Sequence, residues 1–244
     1  MLREIGEELG VDFCSPTSYA YMFMHGESGK GGIWKARNVP EKYEDCRIAN
    51  LPTMSPSSSD GLIRRYSGTL SEKVKDGVGL YLFSVPTTDN KLGTGNGKTT
   101  TAISLLNDYT ILRVIEHLKG DKLKHNPSLF MRISDFQNIY NSQFRGSIEM
   151  QKEASRRYYK AKESMKQVYL LVADDIAIRS ATEAFVNELY EIIEHRATEE
   201  LCTIFTSNVP LNNLEPVYGD RIVSRIEGMA IPVGFNGIDR RRKI

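Results

Sequence analysis

Net charge, cysteine and long apolar runs are all scarce in this sequence, and each scarcity removes a class of function. Basic residues number 32 and acidic residues 31. The chain as a whole is therefore no polycation, and any nucleic-acid binding has to come from a local patch. The last six residues, DRRRKI, form one such patch. The three cysteines, Cys14, Cys46 and Cys202, lie far apart, are odd in number and form no C-x-x-C pair. That argues against a disulfide framework and for a reducing compartment. Cys14, His25 and Cys46 match no zinc-finger or zinc-ribbon spacing. No apolar stretch approaches the ~20 residues of a membrane span. The opening MLREIGEELG carries acids where a signal peptide needs a basic and then an apolar stretch. The expectation is a cytoplasmic protein with no membrane partner.

A length of 244 residues suits one domain of ordinary size, ~100–200 residues, with a small appendage. Three regions are expected. Residues 1–33 pair a short amphipathic start with SPTSYAYMFMHGESGKGG and read as a small partner-binding segment. Residues 34–60, with their prolines and serines, read as a linker. Residues 61–244 alternate strand and helix patterns. GLYLFS (79–84), SLFMRI (128–133), VYLLVADD (168–175), CTIFTSN (202–208) and MAIPVGF (229–235) read as strands. Ala102, Leu105, Leu106 and Tyr109 fall at i, i+3, i+4 and i+7, a buried helical stripe, and Gly120 can cap that helix. SDFQ at 134–137 has the form of a capping box with Ser134 as N-cap. A long polar helix is expected from about Ser147 to Lys166. Phe185, Leu189, Ile192 and Ile193 mark another, and GDRIVSRI a short one. Strands alternating with helices imply an α/β fold with a parallel sheet covered on both faces.

The chemistry begins at KLGTGNGKTTTA, residues 91–102. Gly93, Gly95 and Gly97 let the backbone approach phosphate oxygens without a Cβ, and Thr94, Asn96 and Thr100 complete the loop. Lys98 reaches the terminal phosphates, the Thr99 hydroxyl suits Mg²⁺, and the helix that starts here adds its positive end. A nucleoside triphosphate, ATP or its product ADP, would satisfy all of these groups together. Leu92 stands where the consensus G-x-x-x-x-G-K-[ST] has its first glycine.

A bound Mg²⁺–ATP also needs a carboxylate near the metal and a group to orient the attacking water. Asp174 and Asp175 end an apolar strand, where α/β sheets place ligands. Asp174 reads as the Mg²⁺ residue and Asp175 as the group that polarises water; helix capping is the plainer alternative for the pair. Asn208 ends the next strand and can orient the water or meet the γ-phosphate. Arg221 and Arg225 share a helix face, and a guanidinium aimed at a neighbouring subunit's γ-phosphate would serve as an arginine finger. A solvated, salt-bridged face is the alternative.

In order, GTGNGKTT, VYLLVADDI, CTIFTSN, GDRIVSRI and GFNGIDRR resemble the AAA+ ATPases of the bacterial helicase-loader family, the DnaC and DnaI type, and their phage-encoded relatives. The resemblance spans residues 34–244. It implies a P-loop AAA+ (RecA/ASCE-like) fold with a five-stranded parallel sheet and a reduced or absent C-terminal lid. It matches Lys98 and Thr99 to Walker A, Asp174 and Asp175 to Walker B, Asn208 to sensor 1, and Arg225 to the arginine finger. Arg241 matches the sensor 2-like position, with Arg240 a rival in register. The implied activity is ATP-dependent delivery of a DnaB-type replicative helicase onto single-stranded DNA, with self-association through the arginine finger.

The helix SIEMQKEASRRYYKAKESMK places Lys152, Arg156 and Lys160 on one stripe beside Tyr159, with Ala154, Tyr158, Ala161 and Met165 opposite. Charge that tracks a backbone beside a ring that stacks a base suits single-stranded DNA. A solvated helix balanced by Glu149, Glu153 and Glu163 is the alternative. Two further readings share the ATPase motifs: an IstB-type transposition helper, and a nucleotide-gated single-stranded-DNA adaptor with little hydrolysis.

Overall fold

The computed structural model describes residue 7, residue 10 and residues 12–51, 58–91, 93–123, 125–177, 181–237 and 239. Five strands, β1 (Gly79–Ser84), β2 (Ser128–Arg132), β3 (Leu170–Asp174), β4 (Cys202–Ser207) and β5 (Ala230–Phe235), make one sheet in the order β2-β3-β4-β1-β5. Every neighbouring pair is parallel. Parallel neighbours need a crossover, and the helical stretches between the strand runs supply it. All residues of β3 and β4 are buried, which is why these strands read as unbroken apolar runs rather than alternating ones.

Alternate strand residues feed two cores. Leu80, Leu82, Val172 and Ile204 face α3 (Ser58–Gly68), α4 (Leu70–Lys75) and α5 (Lys98–Leu118). Tyr81, Leu171, Ala173 and Phe205 face the helices on the other side. Those are α6 (Ile133–Ser142), α7 (Ile148–Gln167), α8 (Glu183–Thr198) and α9 (Glu215–Met229). The latter is broken at Gly219, whose φ of 78° is a left-handed turn inside the helical run. After β4 the described residues hold a 3₁₀ turn at Leu211–Leu214, α9 and β5, and no helical lid.

The helical stripes lie where their periodicity put them. Ala102, Leu105, Leu106 and Tyr109 are buried on α5, and Phe185, Leu189, Ile192 and Ile193 on α8. Ser147 caps α7, its hydroxyl accepting from Met150 N–H at 3.4 Å. One local expectation gives way. Ser134 caps nothing, because α6 starts at Ile133, directly off the strand, with Arg132 at the cap position and no side-chain cap. Ile133 and Phe136 are both fully buried, so burying one turn of helix outweighs the gain from a cap, worth about 1 kcal/mol.

The short helices α1 (Tyr19–His25) and α2 (Gly32–Ala36) sit on the outer end of α5, where Phe13, Ala20 and Met24 meet Ile111 and Val114. Phe23 stacks on His117 with centroids 4.1 Å apart. Residues 34–51, expected as part of a linker, pack along the sheet edge and α5. The Phe130 N–H of β2 donates to Arg37 O at 2.8 Å, and Val39 and Ile48 are buried. The buried amide of Asn107 on α5 holds this segment. Its Nδ2 donates towards the carbonyls of Tyr43 (3.0 Å), Glu44 (3.2 Å) and Cys46 (2.8 Å). Its Oδ1 accepts from the Arg37 guanidinium, which also lies 3.3 Å from the Trp34 ring centroid.

Replacing Asn107 by Ala strands a buried guanidinium and three carbonyls. At about 1–3 kcal/mol per orphaned group, with partial relaxation, the expected loss is about 2–4 kcal/mol. Urea denaturation measures it, and trypsin should cut at Lys42 and Arg47 faster than in the wild type. An unchanged midpoint with unchanged cleavage would show that Asn107 does not hold this segment.

Candidate functional site

The loop from Gly93 to Gly97 joins β1 to α5 through backbone that only glycine adopts readily. Gly93, Gly95 and Gly97 have φ values of 60°, 68° and 99°. A side chain at any of them would be strained, and the turns they allow bring the loop's N–H groups round to the start of a 21-residue helix. Leu92 lies outside the described residues. Lys98 is buried beneath the loop. Its Nζ donates to Ser84 Oγ on β1 at 2.5 Å and to Asn96 Oδ1 at 3.0 Å. Asn96 turns its amide inward, Nδ2 donating to Phe235 O of β5 at 2.8 Å. It therefore braces the loop with its side chain. Thr94 Oγ1 lies 3.3 Å from Asp239 Oδ2.

Across from the loop stand the ends of β3 and β4. Asp174 is 3 % exposed, and its Oδ1 accepts from Thr99 Oγ1 at 2.8 Å and from Thr206 Oγ1 at 2.8 Å. Asp175 is exposed and takes a left-handed φ of 55°, a conformation that asparagine and aspartate tolerate better than most residues. Its Oδ1 accepts from Asn208 Nδ2 at 3.1 Å. Residues 94–100, Asp174, Asp175 and Asn208 line one cavity of about 680 Å³, a volume within the usual range for small-molecule sites. The helix-capping alternative for the two acids drops out. The described residues directly after them, 176–177, are not helical, and α8 is capped instead by Thr182.

The donor set suits Mg²⁺. The Thr99 hydroxyl and the Asp174 carboxylate are hard oxygen ligands already 2.8 Å apart. The described residues hold no cluster of three His, Cys, Asp or Glu that could cage a metal alone. Mg²⁺ commonly binds through one or two carboxylates with phosphate and water completing the shell, which matches this arrangement.

Three wall residues come from outside the motifs: Lys42, Tyr43 and Leu51. They belong to the segment that Asn107 pins, and no periodicity in the sequence marks them. Arg132 is a fourth addition. It ends β2 in register with Asp174 on β3, and its Nε lies 3.7 Å from Asp174 Oδ2. The signal was available, since strand ends carry sites in such sheets. Thr206 is a fifth; it lies two residues before Asn208, on the same side of β4.

The remaining predicted residues lie elsewhere. Arg225 does not line this cavity; it is exposed on α9, with Nη2 donating to Glu194 Oε1 of α8 at 2.9 Å. Arg221 lies over the Tyr190 ring, 4.4 Å from its centroid. Arg240 and Arg241 fall outside the described residues. Lys152, Arg156, Tyr159 and Lys160 are all exposed on α7. Among the described residues these three cations have no ion-pair partner, whereas Lys162 and Lys166 are tied to Glu188 and Glu191 of α8 at 2.6 Å. Those two lysines hold the Glu191 carboxyl below its usual range. Burial, with Glu188 beside it, pushes the Tyr158 phenol well above its own.

No family model matches the sequence, and no curated protein does. Solved structures do. The DnaC helicase loader superposes with a TM-score of 0.56 at 18% identity, over 81% of this chain and 100% of that one. DnaI gives 0.59 at 20% identity, over 83% and 94%. The replication initiator DnaA, bound to AMPPCP and single-stranded DNA, gives 0.54 at 20% identity, over 81% of this chain and 51% of that one. This chain has the AAA+ P-loop fold of the DnaC and DnaI loaders. The loop, the acids and Asn208 lie round one cavity of it.

Lys98→Ala removes the cation that the sequence assigns to the terminal phosphates. With charge-assisted hydrogen bonds worth about 2–3 kcal/mol, nucleotide affinity should fall roughly 30- to 150-fold. Titration with a fluorescent ATP analogue measures it, and near-native circular dichroism should confirm the fold. Retained affinity would remove the phosphate-loop assignment.

Proposed function

We propose that the chain is an ATPase that loads a DnaB-type replicative helicase onto single-stranded DNA during replication initiation. The observation that carries this is the convergence of the glycine loop, Lys98, Thr99, Asp174, Asp175 and Asn208 on one cavity, in a fold shared with DnaC and DnaI. The cytosol is the setting proposed for it; no helix among the described residues is long and apolar enough to cross a membrane.

Hydrolysis requires a water to attack the γ-phosphorus in line with the departing ADP oxygen. Lys98 and the loop N–H groups hold the β- and γ-phosphates. Thr99 and Asp174 would hold Mg²⁺, and that ion would offset charge on the phosphate oxygens. Asp175 faces the cavity with one oxygen fixed by Asn208. Its other oxygen can accept a hydrogen bond from the water and, as attack proceeds, a proton. Asp175 is shorter than glutamate and held by a left-handed backbone, and this observation favours slow turnover. A nucleotide-gated adaptor with little hydrolysis is therefore the second reading.

Arg225 does not line its own cavity, which supports a role in a neighbour's site. Its ion pair with Glu194 is exposed, a kind worth about 0–1 kcal/mol, so a more favourable phosphate contact can displace it. The exposed stripe of Lys152, Arg156 and Lys160 beside Tyr159 supports single-stranded-DNA binding, as the solved DnaA complex does for that protein. Residues 1–33 are the segment proposed to hold the helicase, and Arg241 is proposed to meet nucleotide phosphate.

Arg225→Ala should leave nucleotide affinity near wild type while lowering turnover by ~10³–10⁵, the range for fingers supplied in trans. Steady-state hydrolysis at high protein concentration measures this, and wild-type turnover would end the finger assignment. Replacing Lys152, Arg156 and Lys160 together by Ala should reduce the slope of log affinity against log salt for oligothymidylate by roughly 2, at about 0.7 per phosphate contact. An unchanged slope would place DNA elsewhere. Capture of a replicative helicase on the immobilised wild-type chain, with and without ATP, tests the loading role itself.

A further inference from the structure

We propose that Thr206 is a positioning residue that holds Asp174 and Asp175 in the arrangement a phosphate-bound divalent cation requires. The inference rests on the nucleotide reading above. Thr206 sits near the end of β4 and is 2 % exposed. Its hydroxyl has one proton, and the partners settle where that proton goes. The Asp174 carboxylate can only accept, so Thr206 Oγ1 donates to Asp174 Oδ1 at 2.8 Å. The Asp175 N–H can only donate, so Oγ1 accepts from it at 2.9 Å.

The Thr206 carbonyl acts in the same direction. It accepts from Ile176 N–H at 2.9 Å. One residue of β4 therefore takes hydrogen bonds from two consecutive amides just past the end of β3. Regular pairing between the two strands ends at Ala173 and Phe205, and from there Thr206 replaces the ladder. This is where Asp175 adopts its left-handed φ of 55°. That turn separates the two acids. Asp174 stays buried beside Thr99, while Asp175 comes out to Asn208, which belongs to the same β4 end and contacts it at 3.1 Å. Without the hydroxyl, Asp174 Oδ1 loses one donor and the Asp175 N–H loses this acceptor.

Valine matches threonine in shape but lacks the hydroxyl. Thr206→Val should keep nucleotide affinity in EDTA within about twofold of wild type. It should raise the Mg²⁺ concentration for half-maximal nucleotide binding by about 10- to 100-fold, the usual effect of removing a partner of a metal-binding carboxylate. Turnover should fall in parallel. Thr206→Ser restores the hydroxyl and should return both quantities to within about threefold. The measurements are titrations of fluorescent ADP and ATP at graded Mg²⁺, with thermal melting as a check on the fold. If Thr206→Val melts well below wild type, Thr206→Ser against Thr206→Ala carries the same comparison. A wild-type Mg²⁺ requirement in the valine variant, or failure of serine to restore it, would overturn the role of Thr206 while leaving nucleotide binding intact. Absence of nucleotide binding by the wild-type chain would instead remove the reading beneath it, and this proposal too.

Discussion

Asp174 ends a strand in which every residue is buried, and a polar side chain buried there needs hydrogen-bond partners in place of water. The donors come from two directions. Thr99 brings the first turn of α5, and Thr206 brings β4. Satisfying one buried side chain therefore fastens the glycine loop, the acidic strand end and the Asn208 strand end to each other. Any change that separates two of these leaves the carboxylate short of a donor, so the cavity wall is held as a unit. Arg132 approaches the same group from β2, which makes Asp174 the meeting point of three strands and one helix.

The second organising element is α5. Its 21 residues span roughly 30 Å and do different work along their length. The first turn carries Lys98 and Thr99. The middle carries Asn107, which grips the carbonyls of Tyr43, Glu44 and Cys46 and so sets the cavity wall made by Lys42, Tyr43 and Leu51. The last turns carry Ile111, Val114 and His117, against which residues 13–34 pack. One helix thus runs from the glycine loop to the seat of the N-terminal residues.

Surface charge is sorted along α7. Near its C-terminal end, Lys162 and Lys166 are spent on α8 through Glu188 and Glu191. Further towards its N-terminus Arg157 pairs with Glu153 of the same helix, while Lys152, Arg156 and Lys160 are exposed and have no ion-pair partner among the described residues. Arg225 shows the opposite case, an exposed cation held by a weak pair at the α8–α9 face.

Much of this was legible from residue order alone. The five strands follow from short apolar runs, and the α5 and α8 stripes from the 3.6-residue period, both of which depend on near neighbours. The glycine loop was readable because its motif has fixed spacing, and Asp174, Asp175 and Asn208 because each follows directly from an apolar strand run, where such sheets place ligands. Ser134 was misjudged as a cap because the burial of Ile133 and Phe136, a tertiary term, is larger than a local one. The expectation of a linker over residues 34–60 missed the contacts of its 43–46 stretch with Asn107, more than sixty residues away in the chain. Arg132 and Thr206 entered the site only through register: parallel pairing sets one strand end beside the next, and no spacing within a segment encodes that. What the sequence by itself determined is which segments fold and which residues carry charge and hydroxyl. Which of them meet round Asp174 was decided by the packing of strands and α5, because a carboxylate's partners are chosen by distance in space, not along the chain.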